Sequence, residues 1–318
     1  MKNLLKISLI VFIALGIASC SDDDDSNPDP QTNTIADFVA SNDDYSSLKA
    51  ALDKTGLTAT LDGQGSFTVF APNNAAFTAF LNANGFASLD EVPTDLLTNV
   101  LLNHVVDGVN MASDLTTGYI NTLATEASSG ANLSMYVNTS SGVKLNGIST
   151  VTTADIEADN GVIHAVNTVI ALPTVVTFAT ADPTFATLVA ALTRADQPDF
   201  VSVLSTPAGT SPAPFTVFAP TNAAFTALLA ELGASSLNDI DGPTLTATLN
   251  THVIAGANVR AGDLVDGTVS TLGDDLVVDA SNATLTDPNG RVSNIIVVDV
   301  QASNGVVHAI DKVLLPQL

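Results

Sequence analysis

The chain has no tryptophan, three tyrosines and a single cysteine in 318 residues. One cysteine excludes an intrachain disulfide, so every folded part must hold together by core packing alone. Without tryptophan, and with only Tyr45, Tyr119 and Tyr136 beside the phenylalanines, the aromatic platform of a stacking-based sugar site is thin. Positive charge is equally scarce: nine lysines and arginines face 33 aspartates and glutamates, a net charge of −24. That balance excludes nucleic acid and anionic headgroups as partners and leaves divalent cations as weak counterions. His-Glu-x-x-His, Gly-x-Ser-x-Gly, Walker-type and Gly-x-Gly-x-x-Gly patterns are all missing. The expectation is therefore a non-enzyme with no catalytic residue, no cofactor and no metal.

Long apolar runs are absent too, except Leu9 to Ala18, which is short of the ~20 residues that cross a bilayer. Lys2 and Lys6 precede it, so residues 1–19 read as a secretory signal peptide. The run ends in Ile17-Ala18-Ser19-Cys20, and Cys20 is the only cysteine. This junction resembles the lipobox of bacterial lipoproteins, which implies Cys20 as a lipid-attachment site and a membrane partner engaged through the N-terminal lipid. Residues 20–33 follow as a polar, acidic tether with Asp22 to Asp25, Pro28 and Pro30 and no apolar periodicity. Acid directly after such a cysteine is similar to an export signal for the outer face of the outer membrane, with a periplasm-facing lipoprotein as the alternative. Without residues 1–19 the chain has seven basic and 33 acidic residues, a charge of −26.

What remains is one module written twice. Phe67-Thr-Val-Phe-Ala-Pro-Asn-Asn-Ala-Ala-Phe77 recurs 148 residues later as Phe215-Thr-Val-Phe-Ala-Pro-Thr-Asn-Ala-Ala-Phe225, and Asn160-Gly-Val-Ile-His-Ala-Val166 recurs 144 residues later as Asn304-Gly-Val-Val-His-Ala-Ile310. So long a period is a domain duplication, since solenoid repeats run at roughly 20–50 residues. Residues 34–173 and 174–318 are the expected domains.

Each copy opens with an amphipathic helix, on Tyr45, Leu48 and Leu52 and on Phe185, Leu188 and Leu192. Phe67 to Ala71 alternates as a strand, expected at the centre of its sheet, until Pro72 stops it and Asn73 or Asn74 caps a helix with Phe77 and Phe80 on one face. Leu97 to Val105 reads as a further helix ended by Gly108, matched by Leu245 to Val253 and Gly256. From about Thr122 and Thr271 short β-prone runs alternate with Ser-Gly, Asn-Gly and Asp-Pro-Asn-Gly turns, and a long apolar strand closes each copy before Pro173 or Pro316. Helices followed by antiparallel strands make an α+β module with a curled sheet or sandwich.

The two blocks resemble the two signature blocks of fasciclin domains, in order and in both copies. The resemblance implies two tandem fasciclin-like domains, each a curled β-sandwich with flanking helices, of a kind found in surface proteins that mediate adhesion. It also implies a partner-binding Asp-Ile pair just before the second block, matched by Asp155-Ile156 and, with a departure, by Asp299-Val300. A Tyr-His pair of the family departs in both copies, to Asn103-His104 and Thr251-His252.

All four histidines, His104, His164, His252 and His308, occupy equivalent positions. Two imidazoles per module without cysteine or spaced carboxylate ligands fit structural histidines bonded to backbone. The expected function is a surface-displayed, lipid-anchored interaction or adhesion module with an extracellular protein or glycan ligand. The alternative is a glycan- or small-molecule-binding lipoprotein for nutrient capture, which needs a concave pocket that differs between the copies.

Overall fold

The computed structural model describes residues 33–317; the expected signal peptide and the tether up to residue 32, with Cys20 and Asp22 to Asp25, lie outside the described residues. The first module runs α1 (Ile35–Ser41), α2 (Ser46–Thr55), α3 (Thr58–Asp62), β1 (Phe67–Pro72), α4 (Asn74–Ala83), α5 (Thr94–Leu102), β2 (Val105–Asp107), β3 (Gly118–Thr125), β4 (Asn132–Asn138), β5 (Lys144–Leu145), β6 (Ser149–Ala158) and β7 (Gly161–Val166). The second repeats the order as α6 (Val175–Ala181), α7 (Ala186–Leu192), α8 (Phe200–Leu204), β8 (Phe215–Pro220), α9 (Asn222–Leu232), α10 (Gly242–Thr251), β9 (Val253–Ala255), β10 (Gly267–Val269), β11 (Leu276–Asp279), β12 (Thr284–Thr286), β13 (Val292–Ala302) and β14 (Gly305–Ile310). Both are α+β.

Each module holds one seven-stranded sheet, β2-β1-β7-β6-β5-β4-β3 and β9-β8-β14-β13-β12-β11-β10, the same order twice. The two signature blocks of each copy lie side by side as the parallel pairs β1–β7 and β8–β14, with Phe67 opposite Gly161 and Phe215 opposite Gly305. All other pairings between these strands are antiparallel. β1 and β8 stand second from the sheet edge and not at its centre, because short β2 and β9 flank them. These two short strands also correct the helix expected to run on to Gly108 and Gly256. α5 ends at Leu102 and α10 at Thr251. The carbonyls of His104 and His252 then accept Phe70 and Phe218 N–H, at 2.9 Å each, and the β-branched pairs Val105-Val106 and Val253-Ile254 continue as strand.

Strand alternation splits each core in two. Val69 and Ala71 face the helices, packing with Ile35, Leu52, Phe77, Leu97 and Ile163, whereas Phe70 faces the other way, into the curl of the sheet, with Met135, Val137, Leu145 and Ile170. Phe215 and Phe218 divide in the same manner between the helices and the curl formed by Leu276, Val278, Leu285 and Ile310.

The Pro-x-Asn-x-Ala-Phe segment is explained residue by residue. Asn73 and Thr221 cap their helices by accepting Ala76 and Ala224 N–H. Asn74 and Asn222 reach back to the preceding 3₁₀ turn, accepting Ser47 and Thr187 N–H at 2.8 Å and donating to the Asp43 and Pro183 carbonyls. Phe77 and Phe225 then enter the core at 1% exposure. Truncating either to alanine is expected to cost about 3–5 kcal/mol in urea unfolding; a loss below about 1 kcal/mol would contradict this packing.

The modules are packed against each other through side chains that have left the repeat. Tyr119 lies edge-on to Phe178 at 5.6 Å and tilted against Tyr136 at 5.1 Å, and its hydroxyl donates to Asp182 at 2.9 Å. Tyr136 joins the second module's core at 3% exposure. Burial, followed by the Asp182 carboxylate, holds both phenols protonated, with Tyr136 pushed up to about 12. Gln301 N–H donates to Ser134 Oγ at 3.0 Å, and Ser303 N–H and Oγ–H both donate to the Pro173 carbonyl. Gly147 packs on Ala181 so closely that an added Cβ would sit 3.2 Å from its backbone.

Candidate functional site

The turn before each β7 or β14 strand fixes the geometry of the second block. Asn160 Oδ1 accepts the Ile35 N–H at the start of α1, and its Nδ2 donates to Leu61 and Gly63 carbonyls at the end of α3. Asn304 makes the same three bonds, to Val175, Leu204 and Thr206. One buried amide thus ties two helix ends to the sheet. The next residue sits at φ +156° in Gly161 and +155° in Gly305, where a Cβ would collide with the carbonyl oxygen of Phe67 or Phe215. The Asn-Gly dipeptide is therefore required by the parallel pairing itself.

Downstream, His164 and His308 stack on Phe70 and Phe218 at 5.5 and 5.8 Å. His164 accepts the Asp155 N–H on Nδ1 and donates from Nε2 to the Asn110 carbonyl at 2.9 Å. His308 does the same with Asp299 N–H and the Val259 carbonyl. His104 and His252 donate from Nδ1 to the Val100 and Thr248 carbonyls at 2.7 Å and accept the Ile170 and Leu314 N–H on Nε2. Burial lowers both to about 4 and also lowers His308. All eight ring nitrogens are engaged with backbone. Among the described residues no group of three His, Cys, Asp or Glu side chains is placed to hold a metal ion.

The aspartates mark a bulge. Asp155 and Asp299 adopt φ of +60° and +58°, where the registers of β6 and β13 shift against their partners. Such a left-handed aspartate on a strand turns its side chain out of the pleat. Asp155 Oδ1 accepts the Ala112 N–H, and Asp299 Oδ1 accepts that of Ala261, each at 2.7 Å. Ile156 turns inward, half-buried against the helix-side core, and Val300 is buried at 4%. In each pair the aspartate is the more exposed member and the apolar residue turns toward the core, so the two side chains do not share one face.

Two features escaped the sequence reading. One is the Tyr119–Tyr136–Asp182 junction, and the other is Arg260. The repeat signals the second: His164 and His308 bond the carbonyls of Asn110 and Val259, so Arg260 occupies the place that Met111 holds in the first module.

The family model for the fasciclin domain matches residues 43–173 and 183–316. The chain belongs to the fasciclin family. It is 33% identical over 270 residues to transforming growth factor-beta-induced protein ig-h3 of Sus scrofa, a match that covers 80% of this chain and 35% of that protein. Protein sll1483 of Synechocystis is 38% identical over 140 residues, 44% of this chain and 74% of the relative. Cell surface glycolipoprotein MPB83 of Mycobacterium bovis is 36% identical over 145 residues, 45% of this chain and 60% of the relative. The chain thus spans about a third of the length of ig-h3. Among solved structures it is similar to a FAS1 domain pair from the insect cell adhesion molecule Fasciclin I, with 85% of this chain and 92% of that one covered, 18% identity and a TM-score of 0.46.

Proposed function

We infer that this fasciclin protein is a surface-displayed lipoprotein that acts without catalysis as a cell-adhesion or extracellular interaction module. Fasciclin domains serve as such modules, and the similarity to a cell surface glycolipoprotein and to ig-h3 supports a place outside the cell. The carrying observation is the tandem of two fasciclin domains, and the lone Cys20 directly after a short apolar run supports the proposed anchor. Two acyl chains on Cys20, at roughly 0.8 kcal/mol per buried methylene, give stable anchoring without a spanning helix. The carboxylates of Asp155, 38% exposed, and Asp299, 25% exposed, are the proposed contact residues, with Ile156 and Val300 beside them at the bulge.

Cys20→Ser is expected to release the protein from the membrane fraction. Replacing Asp22 to Asp25 by alanine is expected to leave it membrane-bound yet protected from external protease. A strain lacking the protein should attach or aggregate more weakly than wild type. Unchanged attachment together with a growth defect on one glycan would instead select nutrient capture.

A further inference from the structure

The faces that differ between the copies converge on one groove. It holds about 680 Å³, within the size range of small-molecule sites, and is lined by Tyr119, Asn121, Asn132 and Ser134 of the first module and by Arg260 and Val297 to Val300 of the second. It lies at the junction of the modules, beside the Tyr119–Asp182 and Ser134–Gln301 bonds.

Arg260 is the unusual element. Arg194 and Arg291, the other two arginines, each donate to backbone carbonyls and carboxylates: Arg194 to Leu237, Ile240 and Asp196, and Arg291 to Val313, Asp287 and Glu231. Among the described residues Arg260 reaches only Asp299, at 3.4 Å, longer than a charge-assisted bond normally runs, and its buried Nε meets no acceptor there. Its side chain is 38% exposed, so the pair with Asp299 is worth little by itself. A guanidinium with unfilled donors thus faces solvent in a chain that is otherwise strongly negative, at a position where the first module carries Met111. The wall beside it differs as well. Val297 and Val298 are 40% and 46% exposed, where the equivalent first-module bulge carries Thr153 and Ala154. The opposite wall offers exposed amides, Asn121 and Asn132, of which Asn132 already donates to the Thr122 carbonyl.

We propose that this groove binds a uronate-containing oligosaccharide. The sugar carboxylate takes the open donors of Arg260, ring hydroxyls meet the Asn121 and Asn132 amides, and the apolar face of a ring lies on Val297 and Val298. A planar guanidinium fork suits a carboxylate, and apolar contact beside convergent amides suits a pyranose better than a fully charged peptide. The net charge limits the ligand to short oligomers, since a long polyuronate is repelled by the rest of the surface. The assignment deepens the extracellular-interaction reading and rests on it for the source of the glycan.

Calorimetric titration of the mature Cys20→Ser chain, both modules intact, with trigalacturonate tests the site directly, independently of any cell-attachment assay. Binding with a Kd of about 1 mM or tighter is expected, together with no binding of the neutral galactose trimer under the same conditions. Arg260→Met installs the side chain of the other module, so the melting temperature should hold while affinity falls about tenfold or more. Arg260→Lys should fall between the two. Equal binding of the neutral trimer, wild-type affinity in Arg260→Met, or no trigalacturonate binding up to 10-fold above that Kd would each overturn the proposal. An acidic peptide of equal charge that bound as tightly would overturn the saccharide assignment. Loss of trigalacturonate binding with cell attachment intact would leave the adhesion reading standing.

Discussion

Asn304→Ala is expected to destabilise the protein by about 4–6 kcal/mol, close to the whole stability of many domains. Asn304 is fully buried, and its amide bonds three backbone groups: Val175 N–H at 3.0 Å, and the Leu204 and Thr206 carbonyls at 2.9 Å. Alanine leaves all three unpaired, the Val175 N–H and Leu204 carbonyl in the interior and the Thr206 carbonyl partly buried, and each unpaired buried group costs about 1–3 kcal/mol. Two of them are also helix-end groups, which lack intrahelical partners by construction. Asn304→Asp keeps the acceptor for Val175 but sets a carboxylate against two carbonyls, so it should be no better than alanine at neutral pH. Gly305→Ala attacks the same turn by another route, through the Cβ that meets the Phe215 carbonyl. Backbone strain of about 1–3 kcal/mol adds there to a comparable overpacking cost. Asn160→Ala and Gly161→Ala should behave alike in the first module. Urea unfolding decides the matter: a loss under about 1 kcal/mol for Asn304→Ala would show that the amide does not join helices to sheet.

The same turn shows why so much of the fold was legible. A buried amide with three fixed partners, followed by a position that only glycine can occupy, tolerates little change, so it recurs as Asn-Gly in both copies. Phe67 to Phe77 recurs for a similar reason, since strand, proline stop, cap, bridge and core phenylalanine each hold one residue in place. Local periodicity misled where a helix and a strand share an apolar run. Leu97 to Val105 scans as one helical stripe, but Phe70 N–H and its copy Phe218 N–H draw His104 and His252 carbonyls into pairing, and that partner lies over 30 residues away. Sheet order was hidden for the same cause, because β1 meets β7 across nearly a hundred residues. The candidate site was least legible. Asp155 and Asp299 were visible in the sequence, but the left-handed bulge that turns Ile156 and Val300 inward goes with the His164 and His308 rings accepting the Asp155 and Asp299 N–H groups. The junction of Tyr119 with Asp182 joins residues 63 positions apart and breaks the repeat, so nothing periodic announced it.

Acidification from pH 7 to 4 should remove about 6 kcal/mol of stability through His104 and His252 alone. Both imidazoles are wholly buried and neutral, with Nδ1–H on a carbonyl and the Nε2 lone pair taking a backbone N–H. Protonation would place an Nε2–H against that N–H inside an apolar core. Burial is the chief cause that lowers each from 6.5 to about 4, only partly offset by the bonds to Val100 and Thr248. For His252 the charges of Asp287 and Arg291 act in opposite directions and are the smaller causes. Between pH 6.5 and 4 the unfolded chain therefore binds protons that the folded chain refuses, so unfolding takes up nearly two protons. Stability from this source is complete above the unfolded value and is lost as pH falls toward about 4, at about 3 kcal/mol per histidine. His308, also lowered by burial, adds in the same direction. Carboxylates such as Asp311, held below their ordinary 3.8, lose their contribution only at still lower pH, so the two limbs separate. Urea unfolding at half-unit steps from pH 7 to 4 should show the free energy falling throughout this window. A variant with both histidines replaced by glutamine should start less stable and fall less steeply. If the wild-type free energy stays flat across the window, His104 and His252 are not the neutral, backbone-locked pair that closes each module.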